Sequence, residues 1–213
     1  MPPTGEISTT IAPDVYDITI STARDARWRV YLFDGETPTL VDTGFEDTVD
    51  VLVDELETLG IVPKRVVITH DDPDHIGGLS GVVERYDIES WVPAGVETDV
   101  SIDNRYGDGE SVGPFTAVHV PGHTPSHHAL VDEAPGIAVL GDAVFGLDAR
   151  GLPAGGFVLS TAFFSADLAA ADENLDRLLD YEFEVGLVYH GSSVTEKASE
   201  KLASFVDFAG KPP

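Results

Sequence analysis

The chain has no cysteine and little positive charge. Without cysteine it can form no disulfide and offers no thiolate ligand, so histidine and carboxylate side chains would have to hold any metal ion. No apolar run approaches the roughly 18 residues of a membrane span, and Met1–Ile7 has neither a basic start nor a continuous apolar stretch. We therefore expect a soluble, cytoplasmic protein that has no membrane partner.

The charge balance is strongly one-sided, with 38 acidic residues against 12 lysines and arginines and a net charge of −26. Such a surface repels itself at ordinary ionic strength, whereas about 1 M salt shortens the Debye length to about 3 Å and screens the repulsion. Because the acidic residues are spread along the chain, we interpret them as an adaptation to a halophile's cytoplasm. An acidic face for a basic partner is the alternative. Nucleic acid is not expected as a partner, since no basic domain is present.

Length and composition indicate one folded domain over residues 1–213. The hydrophobic fraction is 42% and the glycines and prolines are scattered, so neither disorder nor low complexity is indicated. A chain of this length can bury a sizeable core, and no linker divides it.

One loop concentrates the side chains that could carry chemistry. A strand-like stretch, Val66–Ile68, leads into five ionisable residues within six positions, namely His70, Asp71, Asp72, Asp74 and His75. Side chains two apart in an extended chain point the same way, so His70 and Asp72 can share one cation while Asp74 and His75 reach a second. A solvated acidic loop is the alternative, but it would not need a histidine on each side of the carboxylates.

The loop also resembles a known family. Its letters T-H-D-D-P-D-H-I-G-G are similar to the T-H-x-H-x-D-H-x-G-G motif of the metallo-β-lactamase-fold hydrolase superfamily, except that Asp72 replaces the second histidine. Four further motifs of the family follow the family's order, namely L-V-D-T-G at 40–44, V-P-G-H-T-P-S-H at 120–127, L-G-D-A at 140–143 and V-Y-H-G at 188–191. Five motifs in order favour the fold strongly but say little about the substrate.

The resemblance implies an αββα sandwich, in which two stacked mixed β-sheets carry helices on both outer faces. It also implies a dinuclear metal site, most readily of zinc, with iron or manganese as alternatives. By resemblance, one ion is held by His70, Asp72 and His123, the other is held by Asp74, His75 and His190, and both are bridged by Asp142. Asp42 of L-V-D-T-G would orient these ligands from beneath the loop.

The implied activity is hydrolysis by a metal-bound hydroxide, with Asp74 orienting the water and carrying its proton to the leaving group. A small ester-type molecule, whether ester, thioester or lactone, is the expected substrate. The alternatives are an iron-dependent oxidoreductase of the same fold, a phosphodiesterase, and a metal-binding module without catalysis.

Four further interpretations concern residues outside the ligand set. His119 is expected to be structural or exposed, whereas His127 is left open as a contact to the site. The aromatic residues Phe157, Phe163 and Phe164 lie in a long loop over residues 146–164, which could be a pocket wall, core packing or a homodimer contact. Ser165 is expected to cap the helix that follows.

Overall fold

A computed structural model describes residues 3, 7–23 and 26–208. Most of the first seven residues, whose composition was considered above, lie outside the described residues. The chain divides into two compact units, Met1–Arg105 and Tyr106–Pro213, which we describe one by one. The single-domain interpretation stays a prediction. Within the described ranges, no helix has the length and apolar character needed to cross a membrane.

The first unit is built on a mixed sheet of seven strands in sequence order. They are β1 (Ser8–Ala12), β2 (Val15–Ala23), β3 (Ala26–Phe33), β4 (Thr39–Val41), β5 (Arg65–Val67), β6 (Glu89–Pro93) and β7 (Asn104–Tyr106). The pairs from β1 to β4 are antiparallel and form a meander, and β4, β5 and β6 run parallel. Parallel strands end at the same edge of a sheet, so the residues that follow β4 and β5 are brought together there.

Helix α1 (Val49–Leu59) follows a 3-10 turn, Glu46–Thr48, and ends before Gly60, as the apolar spacing predicts. Its buried residues Leu52 and Leu56 join one face of the sheet in the core of this unit. Ile18 and Ile20 of β2 belong to the same core, whereas the alternate residues of that strand are polar. The period-two pattern thus directs one face of the strand into the core.

The apolar residues Ile76, Leu79, Val82 and Val83 predict one helix after the loop that carries His70 and His75, but in the structure this helix is interrupted. It consists of α2 (Pro73–Ile76) and α3 (Leu79–Arg85), separated by Gly77 and Gly78. The backbone of Gly78 lies so close to the segment after β4 that a β-carbon would come within 2.4 Å of the Thr43 carbonyl oxygen. The glycines therefore allow α2 to be short and to lie directly against the residues below the loop.

The second unit has a mixed sheet of five strands in the order β14-β11-β10-β9-β8. Its strands are β8 (Ser111–Val112), β9 (Phe115–His119), β10 (His128–Asp132), β11 (Ile137–Gly141) and β14 (Val185–Val188). The predicted hairpin of β10 and β11 is present, and β11 pairs with β14 in parallel. A small additional ribbon joins β12 (Phe145–Gly146) to β13 (Phe157–Val158). Two mixed sheets with flanking helices confirm the predicted fold class.

Helices α4 (Leu168–Glu173) and α5 (Ala198–Val206) belong to this unit, and Asn174–Asp180 continues α4 as a 3-10 helix. The prediction that Ser165 caps α4 is wrong. The cap is Asp167, whose Oδ1 accepts a hydrogen bond from the Ala170 amide at 3.0 Å. A carboxylate at this position satisfies a free amide and also suits the positive end of the helix dipole.

Candidate metal centre

Asp42 organises the histidines of the first unit. It follows β4, is fully buried, and has a left-handed backbone with φ 62°. Its Oδ1 accepts from the Thr69 amide at 2.7 Å, and its Oδ2 accepts from the Thr69 hydroxyl at 2.8 Å. The same Oδ2 lies 2.8 Å from Nδ1 of His75. Asp42 thus contacts the loop as the sequence led us to expect.

These contacts fix the tautomers of two histidines. A carboxylate only accepts hydrogen bonds, so Nδ1 of His75 carries the hydrogen and its Nε2 has a lone pair. The Thr69 hydroxyl gives its one hydrogen to Asp42 and therefore accepts from Nδ1 of His70, which lies 3.0 Å away. Asp42 thus prepares both Nε2 atoms as metal ligands, directly for His75 and through Thr69 for His70. No motif in the sequence pointed to this role of Thr69.

Each of these buried histidines has a carboxylate beside its Nε2 atom. Nε2 of His70 lies 3.7 Å from Oδ2 of Asp72, and Nε2 of His75 lies 3.9 Å from Oδ2 of Asp74. The two imidazole side chains are fully buried, whereas the Asp72 side chain is 36% exposed. The closeness of His70 and Asp72 agrees with their two-residue spacing, and the sharing of a cation within each pair stays a prediction.

In the second unit, one carboxylate oxygen of Asp142 lies close to two imidazoles. Oδ2 of Asp142 is 3.4 Å from Nε2 of His123 and 3.3 Å from Nε2 of His190. Asp142 directly follows β11, and His190 lies just beyond the end of the neighbouring parallel strand β14. His123 belongs to the loop between β9 and β10. Strand pairing therefore brings together three residues that are far apart in sequence.

These separations suit metal ligands. They are long for an N–H···O hydrogen bond, but an ion with bonds of about 2.0 to 2.2 Å in tetrahedral geometry separates its ligand atoms by roughly 3.3 to 3.6 Å. Two groups of histidine and aspartate side chains among the described residues could each hold a metal ion. The donors are only imidazole and carboxylate, a combination that suits zinc, iron and manganese.

His127 holds the backbone of Asp142 through a hydrogen bond. Its imidazole is fully buried, and its Nε2 accepts a hydrogen bond from the Asp142 amide at 2.9 Å. The sequence left this residue open, and the structure makes it a support for a candidate ligand. A histidine four residues after the end of V-P-G-H gives no sign of this contact in the sequence, because β10 and β11 must pair before the contact exists.

The other two histidines lie outside the candidate ligand set. His119 and His128 face each other across β9 and β10, with ring centroids 4.7 Å apart. His119 contacts the Pro125 carbonyl through Nε2, and His128 contacts the Ser126 carbonyl through Nδ1. Burial is the main cause that lowers the pKa of His128 below its ordinary value. These contacts support the structural interpretation of His119.

The aromatic residues of the 146–164 loop have two different environments. Phe157 is buried in the core of the second unit, whereas Phe163 and Phe164 are 87% and 60% exposed and pack edge to face on each other. Just after them, the Ala166 amide donates to the His123 carbonyl at 2.9 Å. Core packing therefore explains Phe157 but not the exposed pair Phe163 and Phe164. The loop that carries this pair is hydrogen-bonded to the backbone of His123, a candidate ligand.

Comparison with known proteins shows what this chain is similar to in sequence. Residues 29–99 match the model of the Metallo-beta-lactamase superfamily. A hydroxyacylglutathione hydrolase of Xanthomonas euvesicatoria is 34% identical over 125 residues, which are 56% of this chain and 46% of that relative. The chain thus matches less than half the length of this curated relative.

The chain is similar to the metallo-beta-lactamase superfamily, whose family model it matches over part of its length. Among solved structures, a metallo-beta-lactamase from Pontibacter korlensis shares the fold with a TM-score of 0.74 at 19% identity, over 93% of this chain and 96% of that one. A second protein, solved in a di-iron-bound form, gives a TM-score of 0.66 at 24% identity, over 84% and 94% of the two chains. These likenesses confirm the fold.

Proposed function

We propose that the chain is a dinuclear metal-dependent hydrolase of small ester-type substrates, with thioesters as the favoured class. The proposal rests on the position of Asp142, whose Oδ2 atom lies 3.4 Å from Nε2 of His123 and 3.3 Å from Nε2 of His190. Two cations held close together need a shared anion to offset their repulsion, and this oxygen suits that task. The relation to a hydroxyacylglutathione hydrolase favours a thioester over a lactone or a simple ester.

The ligand assignment is part of the proposal. One ion is assigned to His70, His123 and Asp142, with Asp72 as an additional ligand, and the other to Asp74, His75 and His190, with Asp142 shared. Zinc is the expected metal, and iron and manganese are the alternatives because carboxylates are numerous in this set. The di-iron form of a structural relative is a reason to include iron in every metal analysis.

The chain's own residues then have distinct tasks. When bound, the two cations supply Lewis acidity. Asp42 and Thr69 occupy the Nδ1 atoms of His75 and His70 with hydrogen bonds, which leaves the Nε2 atoms as the ones that would meet a metal ion. Asp74, whose side chain is 18% exposed, can accept a hydrogen bond from the attacking water and pass its proton to the leaving group.

The decisive experiment combines metal analysis with a substrate panel. Purified protein is expected to hold two ions per chain, and His123→Ala and His190→Ala should each lose one. The panel contains an ester, a lactone, an acyl thioester and a phosphodiester, and thioester cleavage should dominate. Unchanged stoichiometry in both variants would refute the ligand assignment, and dominant phosphodiester cleavage would refute the substrate class.

A second candidate function is an iron-dependent oxidoreductase of the same fold. The imidazole and carboxylate ligands can hold iron as well as zinc, which is the observation in its favour. Iron in the purified protein, together with oxygen consumption and no cleavage of any ester, would support this candidate over the hydrolase.

A further inference from the structure

The turn that carries His190 is held by a neighbouring segment of the same unit. The Gly146 amide donates to the carbonyl of His190 at 2.8 Å. The ring of Phe145 packs edge to face on the His190 imidazole, with centroids 4.7 Å apart. The segment that begins at Phe145 therefore contacts both the backbone and the ring of this candidate ligand.

Asp148 adds two hydrogen bonds to the same turn. It lies on the 3-10 helix Leu147–Arg150, and its Oδ1 accepts from the Ser192 amide at 2.7 Å. Its Oδ2 accepts from the Ser192 hydroxyl, also at 2.7 Å. A carboxylate that accepts two hydrogen bonds from one residue fixes the position and orientation of that residue, and each such charge-assisted bond is stronger than a neutral one.

The turn that carries His190 packs tightly against the segment that contains Gly146 and Asp148. Gly191, between His190 and Ser192, has a left-handed backbone with φ 78°. A β-carbon on Gly191 would lie 2.7 Å from the Gly146 carbonyl oxygen and 2.8 Å from Oδ1 of Asp148. The carboxylate thus lies directly against the residue that follows His190, so a shift of the turn toward Asp148 is blocked.

We propose that Asp148 is a positioning residue that holds the His190 turn in the geometry for metal binding. The proposal rests on the proposed function, in which His190 is a ligand of the second ion only. Asp148 is exposed, and in a chain with 38 acidic residues its sequence position does not distinguish it from a solvated surface charge. Its hydrogen bonds to the His190 turn distinguish it.

The test measures the affinity of each metal site separately. Metal-free protein is titrated with zinc in the presence of a competing chelator, and the two binding steps are fitted for wild type and variants. Asp148→Ala should weaken the second-site affinity about tenfold, because loss of residues that support a metal ligand costs about 10- to 100-fold in affinity. The first site, assigned to His70, His123 and Asp142, should keep its wild-type affinity.

Three variants separate positioning from a general effect of charge or folding. Asp148→Asn should recover most of the affinity, because its amide oxygen can still accept from the Ser192 amide. Ser192→Ala should cause a smaller loss than Asp148→Ala, because the amide contact remains. Asp176→Ala removes another exposed aspartate of the same unit and should change neither site.

The outcomes distinguish this proposal from the proposed function. Wild-type affinity at both sites in Asp148→Ala would overturn the positioning role, as would an equal loss at both sites with a lower thermal midpoint. His190→Ala is measured in parallel and should abolish the second binding step. If it instead kept both steps, the ligand assignment itself would be wrong, and the role of Asp148 would be overturned with it.

Discussion

Oδ2 of Asp42 lies 2.8 Å from Nδ1 of His75 and 2.8 Å from the Thr69 hydroxyl oxygen, so one buried carboxylate oxygen contacts both ends of the loop from Thr69 to His75. The residue holds this position in a backbone conformation, φ 62°, that residues other than glycine seldom adopt. Such conformations persist where surrounding contacts compensate for the strain, and here the hydrogen bonds to the loop do so.

Asp42→Ala should lower both stability and metal affinity. It leaves the buried Thr69 and His75 donors without their acceptor, and each unsatisfied buried group costs about 1 to 3 kcal/mol. Asp42→Gly is the matched control, because it removes the same carboxylate but relieves the left-handed backbone and should be about 1 kcal/mol more stable than the alanine variant. Denaturant unfolding and zinc titration measure the two effects. Wild-type metal affinity in both variants would contradict the role assigned to Asp42.

Thermal stability should rise steeply between about 0.1 and 2 M KCl. The reason is the net charge of −26, whose self-repulsion in the folded state is screened by salt. Circular dichroism melting curves provide the measurement. Sucrose at matched osmolality is the control, since it adds no ions, and a midpoint that does not change with KCl would rule out the halophilic interpretation.

The exposed pair Phe163 and Phe164 should govern preference among acyl groups. Replacing either with alanine is expected to raise KM for bulky apolar esters and to leave short-chain esters unchanged, because the pair offers an apolar contact beside the His123 loop. Steady-state kinetics across a series of acyl chain lengths tests this. A kcat/KM that stays constant across the series, in wild type and variants alike, would show that the pair does not contact substrate.

Phe157→Ala is the control for the aromatic loop. This ring is buried in the core of the second unit, so its removal should destabilise the protein by about 3 to 5 kcal/mol. Its effect on acyl-chain preference in the folded fraction should be small.

Asp72→His tests the one departure from the family's loop motif. A carboxylate is a harder ligand than imidazole and adds one negative charge, so wild type should take more iron and manganese from an equimolar mixture with zinc than the variant does. The added charge also weakens Lewis acidity, which should place the acidic limb of the wild-type pH–rate profile at higher pH. If neither the metal bound nor the profile changed, Asp72 would not be a ligand that tunes the site.

Acid should destabilise the protein through His128. Burial, followed by the neighbouring charges of His119 and Arg177, lowers the pKa of His128, whereas the Ser126 carbonyl and Asp108 oppose the shift. Because the folded pKa lies below the unfolded value of about 6.5, the unfolded state binds more protons as the pH falls. The stability that His128 contributes is therefore complete above about pH 6.5 and is lost as the pH falls toward the folded pKa.

His128→Phe keeps an aromatic ring between Tyr106 and His119 but cannot take up a proton. Its free energy of unfolding should change less between pH 7 and pH 5 than that of wild type, in chemical denaturation at each pH. Equal slopes in the two proteins would exclude His128 as a source of the acid sensitivity.

Much of the fold could be predicted because its signals are local. The apolar spacing of 46–59 predicts α1, the alternation of Val15–Thr22 predicts β2, and the turn at 133–136 predicts the hairpin of β10 and β11. The errors lie where tertiary contacts decide. The break at Gly77 and Gly78 arises from close approach to Thr43, and the cap of α4 is Asp167 rather than Ser165.

For the candidate site, the sequence by itself determined the donor types. Because the chain has no cysteine and carries histidines beside aspartates in ordered motifs, the sequence limits the metal ligands to imidazole and carboxylate groups. Its motifs also propose which residues supply them. Only the tertiary structure decided how those residues are held. Thr69 links Asp42 to Nδ1 of His70, and His127 accepts a hydrogen bond from the Asp142 amide. Asp148 accepts a hydrogen bond from the amide of Ser192, which lies 44 positions later in the chain, in the turn that carries His190. The contacts of Asp42 with Thr69, His127 with Asp142 and Asp148 with Ser192 join residues that become neighbours only when the chain folds, so no local pattern in the sequence contains them.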